Sequence, residues 1–286
     1  MILNLLIKQF LQQLEINNYS RSTIVNYGRM LQKFADYLGN RKLEVIKLID
    51  IYGFQVWLKD EVKTYEGELS QRTMALYLSA LKSFFKFCQR NGVECPNPAW
   101  IDLPKIHRPM PVYLNRDEIS ALISVIPPHE IRDRLIVNML YTTGLRVSEL
   151  VNIQAQNIDL PSKKAVIRGK GGRVRTIFFT DEVCNLLRLN NVYKGYIFKG
   201  RTRGRVHLTT TQVQNIVRAY GKLAGINKTV TPHVLRHSLA TTLLQNGANL
   251  RIVQELMGHS QIGTTEVYTH ISQPDLQEAH LKYLTV

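Results

Sequence analysis

The stretch Thr231 to His237, TPHVLRH, sets His233, Arg236 and His237 at positions i, i+3 and i+4. On a helix such positions share a face. Three kinds of chemistry fit that face: a zinc site on the H-x-x-x-H spacing, a grip for an anion, or a core helix with incidental polar groups. The zinc reading lacks ligands. Val234 stands where the glutamate of a zinc-binding helix belongs, Arg236 adds a fixed positive charge, and the only acids from 231 to 270 are Glu255 and Glu266. A divalent cation would meet repulsion there, so no metal is expected. In the core-helix reading, Leu235, Leu239, Leu243 and Leu244 supply the buried face and His233, Arg236 and His237 lie largely off it.

Groups of matching chemistry occur elsewhere in the chain. TTGLRVSELVNI places Arg146 just after a glycine turn, RGKGGRVR puts Lys170 at a hairpin tip, and GHSQIGTTEVYTHI has His259 and Tyr268 nine residues apart. Cations on separate segments that converge in space would favour the anion grip, because an arginine fork stays charged and binds two oxygens at once.

The elements that must carry these residues follow from periodicity and caps. Leu3, Leu6, Ile7, Phe10 and Leu14 predict a first helix. Ile24, Tyr27, Leu31, Phe34 and Leu38 predict a second, with Ser22 as a cap candidate; Phe54, Trp57, Leu58 and Val62 predict a third. A fourth runs through Met74, Tyr77, Leu78, Leu81, Phe84, Phe85 and Cys88 behind Ser70. These helices make a small four-helix domain over 1–104. LPKIHRPMPVYL, with Pro104, Pro109 and Pro111, excludes regular helix and predicts an extended linker over 105–114.

A second domain is expected over 115–286. Asn115 and Glu118 have capping-box spacing, and Ile131, Leu135, Ile136, Met139 and Leu140 form a helical stripe that Gly144 can end. KAVIR and RVRTIFF flank the turn GKGG, which predicts a hairpin in a small antiparallel sheet. Helix returns with Val213, Ile216, Val217, Tyr220, Leu223 and Ala224 before Gly225. The TPHVLRH helix follows, with Thr231 as N-cap, Pro232 at the first position and Gly247 past the end. A shorter helix with Leu250, Val253, Leu256 and Met257 ends at Gly258. The fold class is therefore mainly α with a small antiparallel β-sheet, in two domains.

Composition narrows the partners. Lys and Arg number 37 against 22 Asp and Glu, a net charge of +15, which points to a polyanion. The excess is concentrated late in the chain, with 14 basic residues against 10 acidic through residue 105 and 23 against 12 after it. Cys88, Cys95 and Cys184 form no C-x-x-C pair, so neither a disulfide framework nor a cysteine zinc site is expected. MILNLLIKQF lacks a basic n-region, and no apolar run is long enough to span a bilayer. A cytoplasmic, nucleoid-associated protein with no membrane partner is expected.

Taken in chain order, an arginine in G-L-R-x-S-E-L, a lysine in a G-K-G hairpin, H-x-L-R-H, then G-H and a tyrosine in T-x-x-Y resemble the boxes of the tyrosine recombinase (phage integrase) family. Length and layout are most similar to its Xer-type members. The resemblance runs from about residue 115 to 270, and the N-terminal helices fit the family's SAM-like core-binding domain more loosely. Ser238, where threonine is common, and Met257, where leucine is common, are the differences seen.

On that resemblance the catalytic set is Arg146, Lys170, His233, Arg236, His259 and Tyr268. Arg146 and Arg236 would clamp the scissile phosphate and Tyr268 would attack it. His233 would act as base, His259 would donate a hydrogen bond to a phosphate oxygen, and Lys170 would protonate the departing 5′-oxygen. A 3′-phosphotyrosine would conserve the bond energy, so neither ATP, metal nor any other cofactor is implied. His237 and His270 are left as supporting residues, and Glu149 as support for Arg146. Arg173, Arg175, Lys199, Arg201, Arg203 and Arg205 are expected to contact DNA phosphates. Base readout would come from the N-terminal helices and the helix starting near Thr210.

The resemblance further implies duplex DNA with a palindromic-type site, clamped between the two domains, and a tetramer on paired sites that exchanges strands through a Holliday junction. The tail, about 274–286, with Leu276, Ala279, His280 and Tyr283 at helical spacing, would dock on a neighbouring protomer. Xer-like chromosome dimer resolution is the role implied. A phage- or integron-type integrase, a type IB-like topoisomerase and a DNA-binding relative without catalysis are the alternatives.

Overall fold

A computed structural model describes residues 3–39, 41–60, 69–106, 111–169, 172, 174–200, 206–258, 280 and 282–284. The chain divides into two compact units, residues 1–109 and 110–286. Among the described residues no helix is long and apolar enough to cross a membrane.

The first unit contains α1 (Leu3–Ile16), α2 (Arg21–Tyr37), α3 (Leu48–Asp60) and α4 (Gln71–Arg90). Their stripes meet in a core that includes Leu6, Phe10, Leu31, Phe34, Phe54, Leu58, Leu81, Phe84 and Phe85, as the spacing predicts. Phe34 packs edge-on to Phe54 and Phe85, ring centroids 5.0 and 6.1 Å apart, a geometry that favours the positive ring edge against the negative face. The cap of α2 is Ser20, not Ser22: the Ser20 hydroxyl accepts from the Thr23 amide, which places Ser22 inside the first turn. Ser70 caps α4 as expected. Val62 lies outside the described residues, as do linker residues 107–110.

In the second unit α5 (Arg116–Ser124) starts on the complete Asn115/Glu118 capping box. The centre is α6 (Ile131–Thr143), buried at every position from Leu135 to Thr143. Its polar groups tolerate this because they bond back one turn: Asn138 donates to the Arg134 carbonyl, Thr142 to that of Asn138 and Thr143 to that of Met139. Against α6 pack α5, α8 (Asp181–Asn190), α9 (Thr210–Leu223) and α10 (Pro232–Gln245). The short α7 (Val147–Val151) packs on α6 and α9, and α11 (Leu250–Met257) on α10.

A three-stranded antiparallel sheet, β1 (Ile158–Asp159), β2 (Lys164–Arg168) and β3 (Val174–Phe178), runs in that order. Ala165 pairs with Ile177 and Ile167 with Arg175, and Ala165, Ile167 and Ile177 are buried while Val166 is exposed. A one-residue slip would turn those apolar side chains to solvent, which is what holds the register.

The tail reaches the same core. The His280 ring is buried beside Phe178, with Nε2 2.6 Å from the Thr142 carbonyl oxygen, and Asn246 donates to the Tyr283 carbonyl. A carbonyl only accepts, so Nε2 carries the proton, and burial lowers the pKa of the ring. In this single chain, then, the described tail residues pack on their own domain. Leu276 and Ala279 lie outside the described residues.

Ser238 joins two distant segments. It is fully buried, donates to the Val234 carbonyl and accepts from the Leu114 amide at 2.8 Å. Ser238→Ala leaves that amide buried without its partner and is expected to cost about 1–3 kcal/mol, read as a lower denaturant midpoint at unchanged slope; an unaltered midpoint would refute the assignment.

Candidate functional site: an arginine cluster around Glu149

Local structure places Arg146. Helix α6 ends at Gly144 in the left-handed region, φ +60°, a conformation glycine adopts without the Cβ clash other residues suffer. There is no room for a Cβ, since one would lie 2.7 Å from Met257 Sδ and 2.9 Å from Leu239 Cδ2. The turn therefore sits directly on α10 and α11. Arg146 follows as N-cap of α7, its amide donating to Glu149 Oε2 and its Nη1 to Glu149 Oε1, both at 2.9 Å. Its Nη2 donates to the Gly258 carbonyl at 3.3 Å. The Arg146 side chain remains 39% exposed while that of Glu149 is 4% exposed. The structural pairing and an open guanidinium thus coexist in one residue.

Arg236 departs from the expectation that it lies off the buried face of α10. It is 6% exposed, whereas Leu244, expected in the core, is 42% exposed. The guanidinium is admitted because its two ends meet two carbonyls at once, those of Gly144 and Met257. A planar fork can span the end of α6 and the end of α11, and a burial that is hydrogen-bonded at both ends is tolerated. Burial, and then the charges of Arg146 and Arg175, lower its pKa to about 10 against the pull of Glu149. It therefore stays cationic at neutral pH.

Arg175 on β3 completes the cluster. Its Nη2 donates to Glu149 Oε2 at 3.0 Å, and its side chain is 14% exposed. Burial lowers its pKa, with Glu149 opposing and Arg146 adding to the fall. Its Nε and Nη1 are buried without a hydrogen-bond partner among the described residues. Expected among the DNA contacts, Arg175 faces inward here. The signal was available in the alternation: Arg175 shares a strand face with Ile177 and Phe179, which are buried.

His233 is exposed on the first turn of α10. The His237 ring meets it edge-to-face, centroids 4.5 Å apart at 83°, so the second histidine supports the first by contact. Among the described residues no three His, Cys, Asp or Glu side chains gather as a metal-ligating group. Lys199 is exposed, in a bridge to His207. Lys170, Arg173, Arg201, Arg203, Arg205, His259, Tyr268 and His270 lie outside the described residues. Of the six residues singled out for chemistry, the structure therefore describes Arg146, His233 and Arg236; Arg146 and Arg236 both bond the Met257–Gly258 turn. The sequence marks that turn by its helix-stop glycine, by the G-H box and by Met257, but not as an acceptor of arginine hydrogen bonds.

Two guanidinium groups on one carboxylate, with a third held on the carbonyls of Gly144 and Met257, leave an excess of positive charge on the helix that carries the exposed His233. Such a site favours an anion, and a phosphate oxygen pair fits the geometry of an arginine fork.

Residues 112–274 match the phage integrase family, and residues 7–92 match the phage integrase N-terminal SAM-like domain. The chain is similar to tyrosine recombinase XerA of Pyrococcus furiosus, 36% identical over 283 residues that cover 96% of this chain and 92% of that protein. It is also similar to tyrosine recombinase XerC of Oceanobacillus iheyensis, 34% identical over 297 residues, covering 98% and 96%. Among solved structures, XerH site-specific recombinase bound to difH substrate in a pre-cleavage complex shares the fold, with a TM-score of 0.71 at 23% identity over 97% of this chain and 94% of that one.

Proposed function

The chain belongs to the phage integrase family, and from that membership we propose that it is a site-specific tyrosine recombinase acting on duplex DNA. The observation that carries the reading is the cluster itself: Arg146, the N-cap of α7, and Arg236, on α10, are each bonded to the Met257–Gly258 turn and so held together. Glu149 and the Gly258 carbonyl take part of the Arg146 fork, and two carbonyls take part of the Arg236 fork. Their other N–H groups bind the two non-bridging oxygens of the scissile phosphate, where charge grows as a nucleophile attacks. Donors fixed in advance cost no reorganisation in the transition state.

In this proposal Tyr268 Oη forms the bond to phosphorus as the bond to the 5′-oxygen breaks. A phenol with an unperturbed pKa of about 10 needs help at neutral pH, so His233, held by the His237 ring, takes its proton. Lys170 gives a proton to the departing 5′-oxygen, and His259 donates to a phosphate oxygen. The product is a 3′-phosphotyrosine and a free 5′-hydroxyl. Attack by the 5′-hydroxyl of a second duplex reverses the step and exchanges the strands, so ATP is not consumed. Two rounds through a Holliday junction recombine a pair of palindromic-type sites held by a tetramer. The tail leaves its own domain to dock on a neighbour in that assembly. The proposed role is Xer-like resolution of chromosome dimers at the nucleoid, a reading that the similarity to Xer tyrosine recombinases supports.

The test is an adduct. Wild-type protein, incubated with a randomised library of nicked duplexes in EDTA, is expected to form a protein–DNA complex that survives denaturant. No adduct, or one that EDTA prevents, overturns the proposed chemistry. A plasmid carrying two copies of a recovered site is expected to yield recombinants, whereas relaxation without exchange identifies a topoisomerase.

A further inference from the structure

Arg175 is absent from the six residues that the family boxes supply, yet it touches both supports of Arg146. Glu149 is shared: Oε1 takes Arg146 Nη1, while Oε2 takes the Arg146 amide and Arg175 Nη2. Gly258 is shared as well. Its carbonyl accepts from Arg146, and a Cβ added to it would lie 2.7 Å from Arg175 Cδ and 2.9 Å from Arg175 Nη1. The Arg175 side chain thus fills the space beside a turn whose φ of +61° already requires glycine. With 14% of its side chain exposed and Nη2 committed to Glu149, Arg175 presents little surface to a duplex.

We propose that Arg175 is a positioning residue: through Glu149 and Gly258 it fixes the direction in which Arg146 presents its open N–H groups to the scissile phosphate. The assignment rests on the recombinase reading above. Without Arg175, Glu149 loses one of its two counter-charges and the Gly258 turn loses its wall. The Arg146 guanidinium is then free to swing, and misplacement by about 1 Å is worth up to ~10²-fold in rate.

The experiment compares wild type, R175M, R175K, E149Q and the R175M/E149Q double variant on a nicked duplex recovered by the wild type. It reads the rate of adduct formation and, separately, DNA affinity across a salt series. R175M is expected to form adduct roughly 10- to 100-fold more slowly, with affinity and its salt dependence unchanged. R175K keeps a charge near Glu149 but cannot also lie flat on Gly258, so it recovers part of the rate. The double variant is expected to be slower than E149Q by less than the factor that R175M loses in the wild type, because part of the effect of Arg175 runs through the carboxylate that E149Q has already changed. A wild-type rate in R175M or R175K overturns the assignment. So does a salt slope reduced by about 0.9, the mark of a lost phosphate contact, or losses that multiply in the double variant. If R175M does not fold, R175K alone decides by its rate. Absence of adduct from the wild type itself overturns the recombinase reading and this assignment with it, whereas adduct at equal rates in all variants overturns only this assignment.

Discussion

Arg236→Lys is expected to form the covalent protein–DNA complex about 10²- to 10³-fold more slowly, the usual cost of one missing donor at a developing negative charge. Formal charge is retained in this variant, so the loss tests geometry. The guanidinium bonds the Gly144 and Met257 carbonyls together, and an ammonium on a flexible stem cannot span both. One of two buried carbonyls then loses its partner, at roughly 1–3 kcal/mol of stability, and the ends of α6 and α11 lose a common tie. A lowered denaturant midpoint should therefore accompany the slower chemistry. Adduct formation at the wild-type rate would show that Arg236 serves the fold alone.

Tyr268→Phe is expected to abolish the adduct outright while leaving DNA binding intact. The substitution removes a single oxygen, the atom that bonds to phosphorus in the proposed step, and a phenylalanine ring has no nucleophilic atom in its place. Binding is spared because a neutral phenol adds nothing to the counterion release that dominates affinity. A denaturing gel reads the first outcome and a mobility-shift titration the second. The chain has 13 tyrosines. An adduct that persists in Tyr268→Phe assigns the attack to another of them or to another nucleophile.

Signals that span a turn or less are legible in the sequence. The Asn115/Glu118 box, the Thr231 cap with Pro232 behind it, and the left-handed stop at Gly144 are each decided within four residues. Ser20 against Ser22 shows the resolution limit of such signals. Two hydroxyls near one helix start have equal chemistry, and only the backbone turning at Ser20 chooses. The periodic stripes likewise located the two cores, but not their edges. Leu223 and Leu250, counted in stripes, are 67% and 58% exposed, since none of the described residues covers those ends.

Burial of charge is another matter. Arg236 was expected off the core because its helix carries enough leucines to supply the buried face. What buries it are carbonyls 92 and 21 residues away, at the ends of two other helices. Arg175, expected at the DNA surface, is turned inward by the pleat and held by a carboxylate 26 residues back. The tail, whose apolar spacing was legible, packs in this chain on α6 and β3 through His280, a choice of surface that no periodicity encodes.

By itself, then, the sequence determined which helices form, where they stop, and which basic and histidine side chains are available in which order. These depend on backbone hydrogen bonds and steric limits among near neighbours. Tertiary structure alone decided that Arg146 and Arg175 share one carboxylate and that Arg146, Arg175 and Arg236 all meet at the Met257–Gly258 turn. Like charges come together only where a fixed set of acceptors offsets their repulsion and desolvation, and those acceptors, at α6, α7 and α11, meet the arginines of α10 and β3 only when these elements are packed.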